Sequence, residues 1–266
     1  MIKIHPMAIV DPAAKLGDNV EVGPFAVIEG DVEIGEGTKI LNGATIFSHV
    51  KIGKDCTVFP GAVVGAIPQD LKFEGEESWV EIGDRVNIRE CATINRGTRA
   101  SGKAVTKVGS DTLVMSYAHI AHDCCVGNHC IVVSYVGFAG ETDIEDWAIV
   151  GGKTASHQFS KVGTHAFVAA CAKITKDVPP YVLAGREPIC FEGINRVGLL
   201  RRGFTEETVN EIKAIYDAIY FQGMNVSQAL EYIEANFPAS EHRDNILRFI
   251  RGSKRGIISK PRAPRK

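Results

Sequence analysis

The chain has 266 residues, a formal net charge of −2 at pH 7 and 45% hydrophobic residues, with a mean hydropathy close to zero. This composition excludes disordered and collagen-like chains, which carry fewer apolar side chains, and membrane-spanning chains, which need long uncharged apolar runs. Because no charged amino-terminal segment leads into an apolar run, we expect a cytoplasmic protein.

An aliphatic residue recurs at every sixth position from the start of the chain. These residues are Ile4, Val10, Leu16, Val22, Ile28, Ile34, Ile40, Ile46, Ile52, Val58 and Val64. A small or β-branched residue follows four positions after nearly every one of them, as Ala26 follows Val22. Each hexad therefore supplies two inward-pointing groups separated by one outward residue. This alternation within a fixed repeat predicts a parallel β-helix, whose coils bury their apolar sides against one another.

The repeat is interrupted twice, which predicts two loops that protrude from the coil, at about residues 66–79 and 99–106. After the second interruption the repeat continues from Val108 to Ile174. One inward position in this stretch is polar, Ser156, and we interpret it as a small residue tolerated in a narrow core. Pro179 and Pro180 are expected to end the ladder, because proline lacks the N–H that a ladder needs.

Helical patterns follow the coil. Thr205 is expected to cap a helix that stops at Gly223, and two further helices are predicted at 227–237 and 240–251. The remainder, from Arg251 to Lys266, carries seven Lys or Arg residues and no acid, which is typical of a solvated end and also suits an acidic partner.

The predicted fold is thus mainly β, with a small α-helical domain at the carboxyl end. We expect a β-helix domain over residues 1–182, and a linker with a helical domain and a basic tail over 183–266. The seven cysteines form an odd set without a CxxC pair, so we interpret them as reduced core thiols, neither disulfides nor zinc ligands.

Two histidines and a carboxylate cluster between Ala118 and Asp123. Both His119 and His122 lie off the inward positions, so neither imidazole is expected to be buried. An exposed imidazole suits proton transfer because its pKa lies near neutrality, and Asp123 could fix its tautomer. On the residues alone, ordinary polar surface remains the commoner interpretation of such a pair.

Aliphatic-Gly pairs at the hexad positions, such as Leu16-Gly17 and Val126-Gly127, resemble those of the left-handed β-helix acyltransferases. The segment 117–123, Tyr-Ala-His-Ile-Ala-His-Asp, resembles the signature of the UDP-N-acetylglucosamine O-acyltransferase family. Further segments resemble the same family over almost the whole chain: 69–72, 80–85, 94–98, 106–111, 157–159, 177–181 and 200–204.

This resemblance implies a left-handed coil of three hexads per turn and a homotrimer with active sites between subunits. It implies transfer of an (R)-3-hydroxyacyl group from acyl carrier protein to the 3-hydroxyl of UDP-N-acetylglucosamine, the first step of lipid A biosynthesis. The expected partners are therefore an acyl carrier protein, to which the basic tail could dock, and the nucleotide sugar. No cofactor, metal, nucleic acid or integral membrane segment is expected.

The resemblance also assigns roles to particular residues. His122 would be the general base, Asp123 its partner, and the amide of Gly140 a donor to the oxyanion. Ala170 would set the acyl-chain length. Substrate-binding positions would be Gln69, Asp70, Lys72, His119, Gly152, His157, Gln158, Asn195, Arg201 and Arg202. The chain departs from the family pattern at Glu141, where histidine is usual, and at Val197, where an acid is usual.

Three alternatives remain open at this level. The N-acylating enzyme of the same pathway differs in using a 3-amino acceptor. A zinc carbonic anhydrase on the same coil would use three histidines, which His119, His122 and His157 could supply. A non-catalytic scaffold would need neither the histidine pair nor the polar loop.

Overall fold

The computed structural model describes residues 1–260, and in it the hexads form three parallel sheets around one axis. Successive short strands lie on successive faces, so residues 18 positions apart meet in neighbouring coils, as Lys39 pairs with Thr57. We refer to the sheets as the first, second and third faces. Each face buries one side against the other two, which is why an isolated hexad could not fold.

The strands of each face are given in spatial order. The first face contains Lys3–Ile4, Glu21–Val22, Lys39–Ile40, Thr57–Val58, Asn87–Ile88, Leu113–Val114, Ile131–Val132, Ile149–Val150, Phe167–Val168, Val182–Gly185 and Cys190–Ile194. The second face contains Ile9–Val10, Val27–Ile28, Thr45–Ile46, Val63–Ala66, Thr93–Asn95, His119–Ile120, Gly137–Phe138, Ala155–Ser156 and Lys173–Ile174. The third face contains Lys161–Val162, Asp143–Ile144, Cys125–Val126, Val105–Val108, Trp79–Ile82, Val50–Ile52, Val32–Ile34 and Lys15–Leu16.

A left-handed backbone conformation recurs at the corners between faces. The third residue after most inward aliphatic residues has a positive φ, including Tyr117 at 61°, Asp123 at 60° and Tyr135 at 62°. Such a residue turns the chain sharply after a strand of two or three residues. The corners therefore stack in register, and side chains at equivalent corner positions form columns along the coil.

The inward residues form the core, as predicted, except at the open end of the stack. Ile28 and Ile46 are fully buried, whereas 47% of Ile4 is exposed because no coil lies beyond it. Ser156 accepts a hydrogen bond from the Ala139 N–H at 3.0 Å, and its hydroxyl lies 2.7 Å from that of Thr142. Hydrogen bonds between two neighbouring coils therefore satisfy the polar group of this inward serine.

The prediction that the two prolines end the ladder is wrong for the first face. Val182–Gly185 pairs in parallel with Phe167–Val168, and Cys190–Ile194 then pairs with it in the antiparallel direction. The prolines precede this strand, so they remove no N–H from it. A hairpin thus closes the coil.

Four α-helices and one short 3-10 helix complete the described chain. The α-helices are α1 Arg196–Arg201, α2 Glu206–Phe221, α3 Val226–Asn236 and α4 Glu241–Arg251, and the 3-10 helix is Arg99–Ser101. The last three α-helices were predicted within two residues, and Thr205 caps α2 as expected. The six-residue helix α1 was missed, because it is too short for a clear apolar period.

The chain after α4 returns to the coil. Ile257 and Ile258 are buried, and the Tyr220 hydroxyl donates to the Ile258 carbonyl at 2.9 Å. The Ser253 hydroxyl donates to the buried carboxylate of Asp177. The expectation of a solvated end is therefore wrong for Ile257 and Ile258, while the tail beyond Lys260 lies outside the described residues.

The cysteines are all free, but not all of them belong to the core. Cys56, Cys124, Cys130 and Cys190 are buried, whereas Cys91, Cys125 and Cys171 are exposed. Cys91 and Cys171 occupy corner positions, which point outward. Among residues 1–260 no helix is long and apolar enough to cross a membrane. The division into domains at 182/183 stays a prediction.

Candidate active site

A polar cluster lies at the corner between the second and third faces. His122 and Asp123 follow the strand His119–Ile120 at this corner. The next coil brings Gly140 beside them, since the Glu141 N–H donates to the His122 carbonyl at 3.0 Å. The stacking of equivalent corner residues therefore assembles groups that are distant in sequence.

A buried carboxylate holds the histidine. Asp123 is fully buried, and its Oδ2 lies 2.8 Å from His122 Nδ1. This bond makes Nδ1 the protonated nitrogen of the neutral ring and leaves Nε2 as the acceptor. The hydrogen bond and the charge of Asp123 raise the pKa of His122 above its ordinary 6.5, although burial opposes this, and the charges of Asp70 and Glu141 add to the increase.

The second loop, which in the structure runs from residue 96 to 104 between two strands, supplies the remaining donors to this carboxylate. The Thr98 N–H donates to Asp123 Oδ1 at 2.8 Å, and the Thr98 hydroxyl donates to Oδ2 at 2.7 Å. The Ser101 hydroxyl donates to Oδ1 at 2.7 Å. Burial alone raises the pKa of Asp123, but hydrogen bonds from His122, Ser101 and Thr98 outweigh burial, so the pKa falls below its ordinary 3.8.

The expectation that both histidines are exposed is wrong for His122. Only 9% of its side chain is accessible, because both loops leave the coil at this same corner, from the two coils that precede it. His119 is half-buried, and its Nδ1 lies 2.7 Å from the Thr93 hydroxyl. Burial and the neighbouring charge of His122 lower the pKa of His119 below 6.5. The pKa values of the two imidazoles are thus shifted in opposite directions.

Gly140 lies flat against the His122 ring. A Cβ at Gly140 would stand 2.4 Å from both Cε1 and Nε2 of the ring, which is far inside van der Waals contact. The backbone of Gly140 does not adopt a left-handed conformation. The reason for glycine here is therefore the close approach of the imidazole.

The first loop brings a second carboxylate to the free side of the histidine. Asp70 Oδ2 lies 3.7 Å from His122 Nε2. Asp70 is half-buried and accepts a hydrogen bond from the Lys72 N–H at 3.0 Å, while Gln69 and Lys72 themselves are exposed. Asn95 anchors the loop by donating to the Ile67 carbonyl at 2.7 Å. The loop thus overhangs the nitrogen that could accept a proton.

Family models and curated proteins match this chain closely. The second-domain model described as UDP N-acetylglucosamine O-acyltransferase matches residues 177–258, and the bacterial transferase hexapeptide model (six repeats) matches 13–48 and 106–140. The acyl-[acyl-carrier-protein]--UDP-N-acetylglucosamine O-acyltransferase of Janthinobacterium sp. (strain Marseille) is 47% identical, over 97% of this chain and 100% of its own length. The enzyme of the same name from Thiobacillus denitrificans is 44% identical over 97% and 100%. The chain belongs to this O-acyltransferase family.

Solved structures of the O-acyltransferase family have the same fold. The UDP-N-acetylglucosamine acyltransferase of Bacteroides fragilis superposes with a TM-score of 0.94 at 49% identity, covering 96% of this chain and 99% of its own. That of Francisella novicida gives a TM-score of 0.94 at 40% identity, covering 98% and 95%. This chain is therefore a left-handed parallel β-helix of hexapeptide repeats, as the resemblance implied.

Other residues that the O-acyltransferase resemblance singled out lie at two corners of the coil. His157 and Gln158 are exposed at the same corner as His122, and Arg255 donates to the Gln158 carbonyl at 3.3 Å. Gly152 and Ala170 lie at the corner between the first and second faces, because they follow Ile149–Val150 and Phe167–Val168. The second face separates these two residues from His122.

Asn195 and Arg202 lie at the third corner, between the third and first faces. Asn195 is buried, caps α1 and donates to the His165 carbonyl at 2.9 Å. Arg202 donates to His165 Nδ1 at 3.1 Å and stacks over the Trp147 ring, 5.2 Å from its centroid. Arg201 is exposed. Within one chain, then, these residues and His122 do not share a corner.

A cavity of about 960 Å³ lies over the third face and extends from the second loop to α4. It is lined by Lys103, Asp143, His165, Tyr181 and Arg248, among others, and does not contain His122. Among residues 1–260, no group of three or more His, Cys, Asp or Glu side chains is arranged to hold a metal ion. His119, His122 and His157 therefore form no three-histidine site within one chain.

Three hydroxyl residues of this site were not expected from the sequence, although segments 94–98 and 106–111 resemble the family: Thr98, Ser101 and Thr106. The Thr106 hydroxyl accepts the Asp123 N–H at 2.8 Å. A signal was available, because an aspartate at a corner beside a histidine needs hydrogen-bond donors, and the neighbouring loop carries hydroxyl residues.

Proposed function

We propose that this chain transfers an (R)-3-hydroxyacyl group from acyl carrier protein to the 3-hydroxyl of UDP-N-acetylglucosamine, the first reaction of lipid A biosynthesis. Membership of the family supports the reaction class. The observation that carries the mechanism is the histidine whose Nδ1 is bound to a buried carboxylate 2.8 Å away while Nε2 faces the cleft under the first loop.

In this mechanism His122 Nε2 removes the proton of the sugar 3-hydroxyl as the oxygen attacks the thioester carbonyl carbon. The tetrahedral intermediate collapses with cleavage of the carbon–sulfur bond, and the imidazolium returns the proton to the thiolate. The products are the 3-O-acyl sugar nucleotide and the free carrier thiol. The mechanism includes no acyl-enzyme, and burial raises the pKa of the neighbouring Cys124 to about 12, which keeps this side chain a protonated thiol.

The surrounding groups have electrostatic and positioning roles. The Gly140 N–H is the oxyanion donor, because the glycine lies against the base and, among the described hydrogen bonds, its N–H donates to no protein acceptor, while its carbonyl accepts from the Phe159 N–H at 3.2 Å. Asp70 binds the sugar, and Lys72 provides a point charge for the diphosphate. The remaining substrate-binding residues are Gln69, His119, Gly152, His157, Gln158, Asn195, Arg201 and Arg202. Ala170 limits the acyl chain.

We propose that the active protein is a cytoplasmic homotrimer whose sites lie between subunits. The support is geometric: His122 lies at one corner of the coil, and Arg202 lies at another, across the third face. A single substrate could reach both sets of residues where the corner of one subunit faces that of the next. Sedimentation of a fully active monomer would contradict this arrangement.

The test is a thioester transfer assay with UDP-N-acetylglucosamine, with its 3-amino analogue and with acyl carrier proteins carrying different 3-hydroxyacyl chains. The His122→Ala variant should lose ~10² to 10⁴-fold in kcat, the usual loss for a general base, with little change in nucleotide-sugar affinity. His5→Ala is the control, because His5 is exposed near the open end of the coil. Wild-type turnover in His122→Ala contradicts the mechanism, and transfer only to the amine replaces the proposed acceptor.

A further inference from the structure

We propose that Thr98 and Ser101, both on the second loop, are positioning residues of the reaction: they hold the Asp123 carboxylate in the one orientation that keeps His122 Nε2 directed into the cleft. This inference rests on the proposed function, because it takes His122 as the base. It assigns a task to the loop that interrupts the coil after Thr93–Asn95.

All acceptor positions of the Asp123 carboxylate are in use. Oδ1 accepts from the Thr98 N–H and the Ser101 hydroxyl. Oδ2 accepts from the Thr98 hydroxyl at 2.7 Å and from His122 Nδ1 at 2.8 Å. A carboxylate offers about four such positions, two on each oxygen. Of these four partners, the imidazole is the only one outside the second loop, so the loop determines where the imidazole bond can point.

The coil by itself could not provide these donors. Corner residues of a hexad point outward, and regular coils present backbone groups that already pair with the coils above and below. The second loop adds the 3-10 turn Arg99–Ser101, which folds the Ser101 hydroxyl back over Asp123. Thr98 is buried, with 2% of its surface exposed, so its hydroxyl bonds within the protein and not with bulk water.

The second loop also contacts the first. The Arg99 N–H donates to Glu76 Oε1 at 2.9 Å, and Asn95, at the start of the second loop, bonds the Ile67 carbonyl at 2.7 Å. The first loop carries Asp70, which faces the free nitrogen of the ring. The same segment therefore positions both sides of the imidazole.

The charged groups that face His122 determine in which direction its pKa is expected to change. They are Asp123 on its own corner, Asp70 on the first loop, Glu141 on the next coil and His119 on the preceding strand. Hydroxyl donors withdraw negative charge from the Asp123 carboxylate. Removing one donor leaves a more negative carboxylate facing the ring, which favours the imidazolium and raises the pKa of His122.

The experiment measures kcat/KM against pH for four variants in the full-length protein. Thr98→Val removes the hydroxyl and keeps the shape and the backbone N–H, and Thr98→Ser restores the hydroxyl. Ser101→Ala removes the second donor. Thr112→Val is the matched control, because Thr112 is also buried and its hydroxyl donates to the Gly127 carbonyl at 2.9 Å, away from the site.

We expect Thr98→Val to move the acidic limb of the profile to higher pH and to lower kcat/KM at neutral pH by roughly 10-fold, the loss of one hydrogen bond to a charged group. Thr98→Ser should recover both, and Thr112→Val should leave the limb in place. If Thr98→Val does not fold, Ser101→Ala is used instead, and its acidic limb should also move to higher pH.

A limb that stays at the wild-type pH in Thr98→Val and Ser101→Ala overturns the positioning role, as does a loss that Thr98→Ser does not recover. Failure of the proposed function has a different signature. In that case the wild-type protein transfers no acyl group, or His122→Ala transfers it at the wild-type rate, and the role of the second loop is then refuted together with the mechanism.

Discussion

A single methyl group at Gly140 should disable His122, the proposed base, without removing any hydrogen-bonding group. The Gly140→Ala variant keeps the N–H proposed for the oxyanion, and its backbone conformation is accessible to alanine. What changes is the space that the His122 ring occupies. The variant therefore separates the position of the base from the stabilisation of the oxyanion.

The expected magnitude follows from the contact distances. The added Cβ would stand 2.4 Å from His122 Cε1 and Nε2, whereas ordinary contact begins at 3.4 Å. The ring must therefore retreat by about 1 Å, and a misplacement of that size costs on the order of 10²-fold in rate. Because Nδ1 is bound to Asp123 at 2.8 Å, the retreat also strains the bond that sets the tautomer.

The assay compares kcat/KM for acyl transfer with thermal unfolding of the same preparation. We expect a roughly 100-fold loss of kcat/KM with retention of the folded coil. Gly30→Ala is the control, since a Cβ there meets its nearest neighbour, Asp11, at an ordinary 3.5 Å. Wild-type activity in Gly140→Ala would refute the argument that the ring is confined against this glycine.

Three further outcomes are expected. Asp70→Asn should move the acidic limb of the kcat/KM profile to lower pH, opposite to Thr98→Val, because the charge of Asp70 contributes to the raised pKa of His122; an unmoved limb contradicts this coupling. Ala170→Met should favour shorter acyl thioesters by about 10-fold in relative kcat/KM, and an unchanged preference over a chain-length series would exclude Ala170 from the acyl groove. Burial, with the charges of Arg202 and His242, lowers the pKa of His165 to about 4, so its contribution to stability is present above pH 6.5 and is lost as the pH falls towards 4. The melting temperature of His165→Gln should therefore fall less between pH 6.5 and pH 4 than that of the wild type. Equal decreases in the two proteins would contradict this.

The local pattern was sufficient for the coil and most of the helices. A hexad repeat has one way to bury its apolar side chains, so the inward positions from Val22 onward were predicted correctly, as was the cap of α2 at Thr205. The exceptions are at the ends. Ile4 is exposed because its neighbours lie on one side only, and Ile257 and Ile258 are buried because the chain returns to the coil after α4.

The candidate site was likewise predictable only in part. The residues His122 and Asp123 were recognisable from their motif, but the burial of the imidazole was not, since it depends on two loops that leave the coil. The donors Thr98 and Ser101 lie 25 and 22 residues from Asp123 in sequence, and the contact of Gly140 with the ring joins two separate coils. Short-range periodicity determines which side of the chain faces inward, whereas the distances and proton affinities at a corner depend on which coils and loops the fold brings together there.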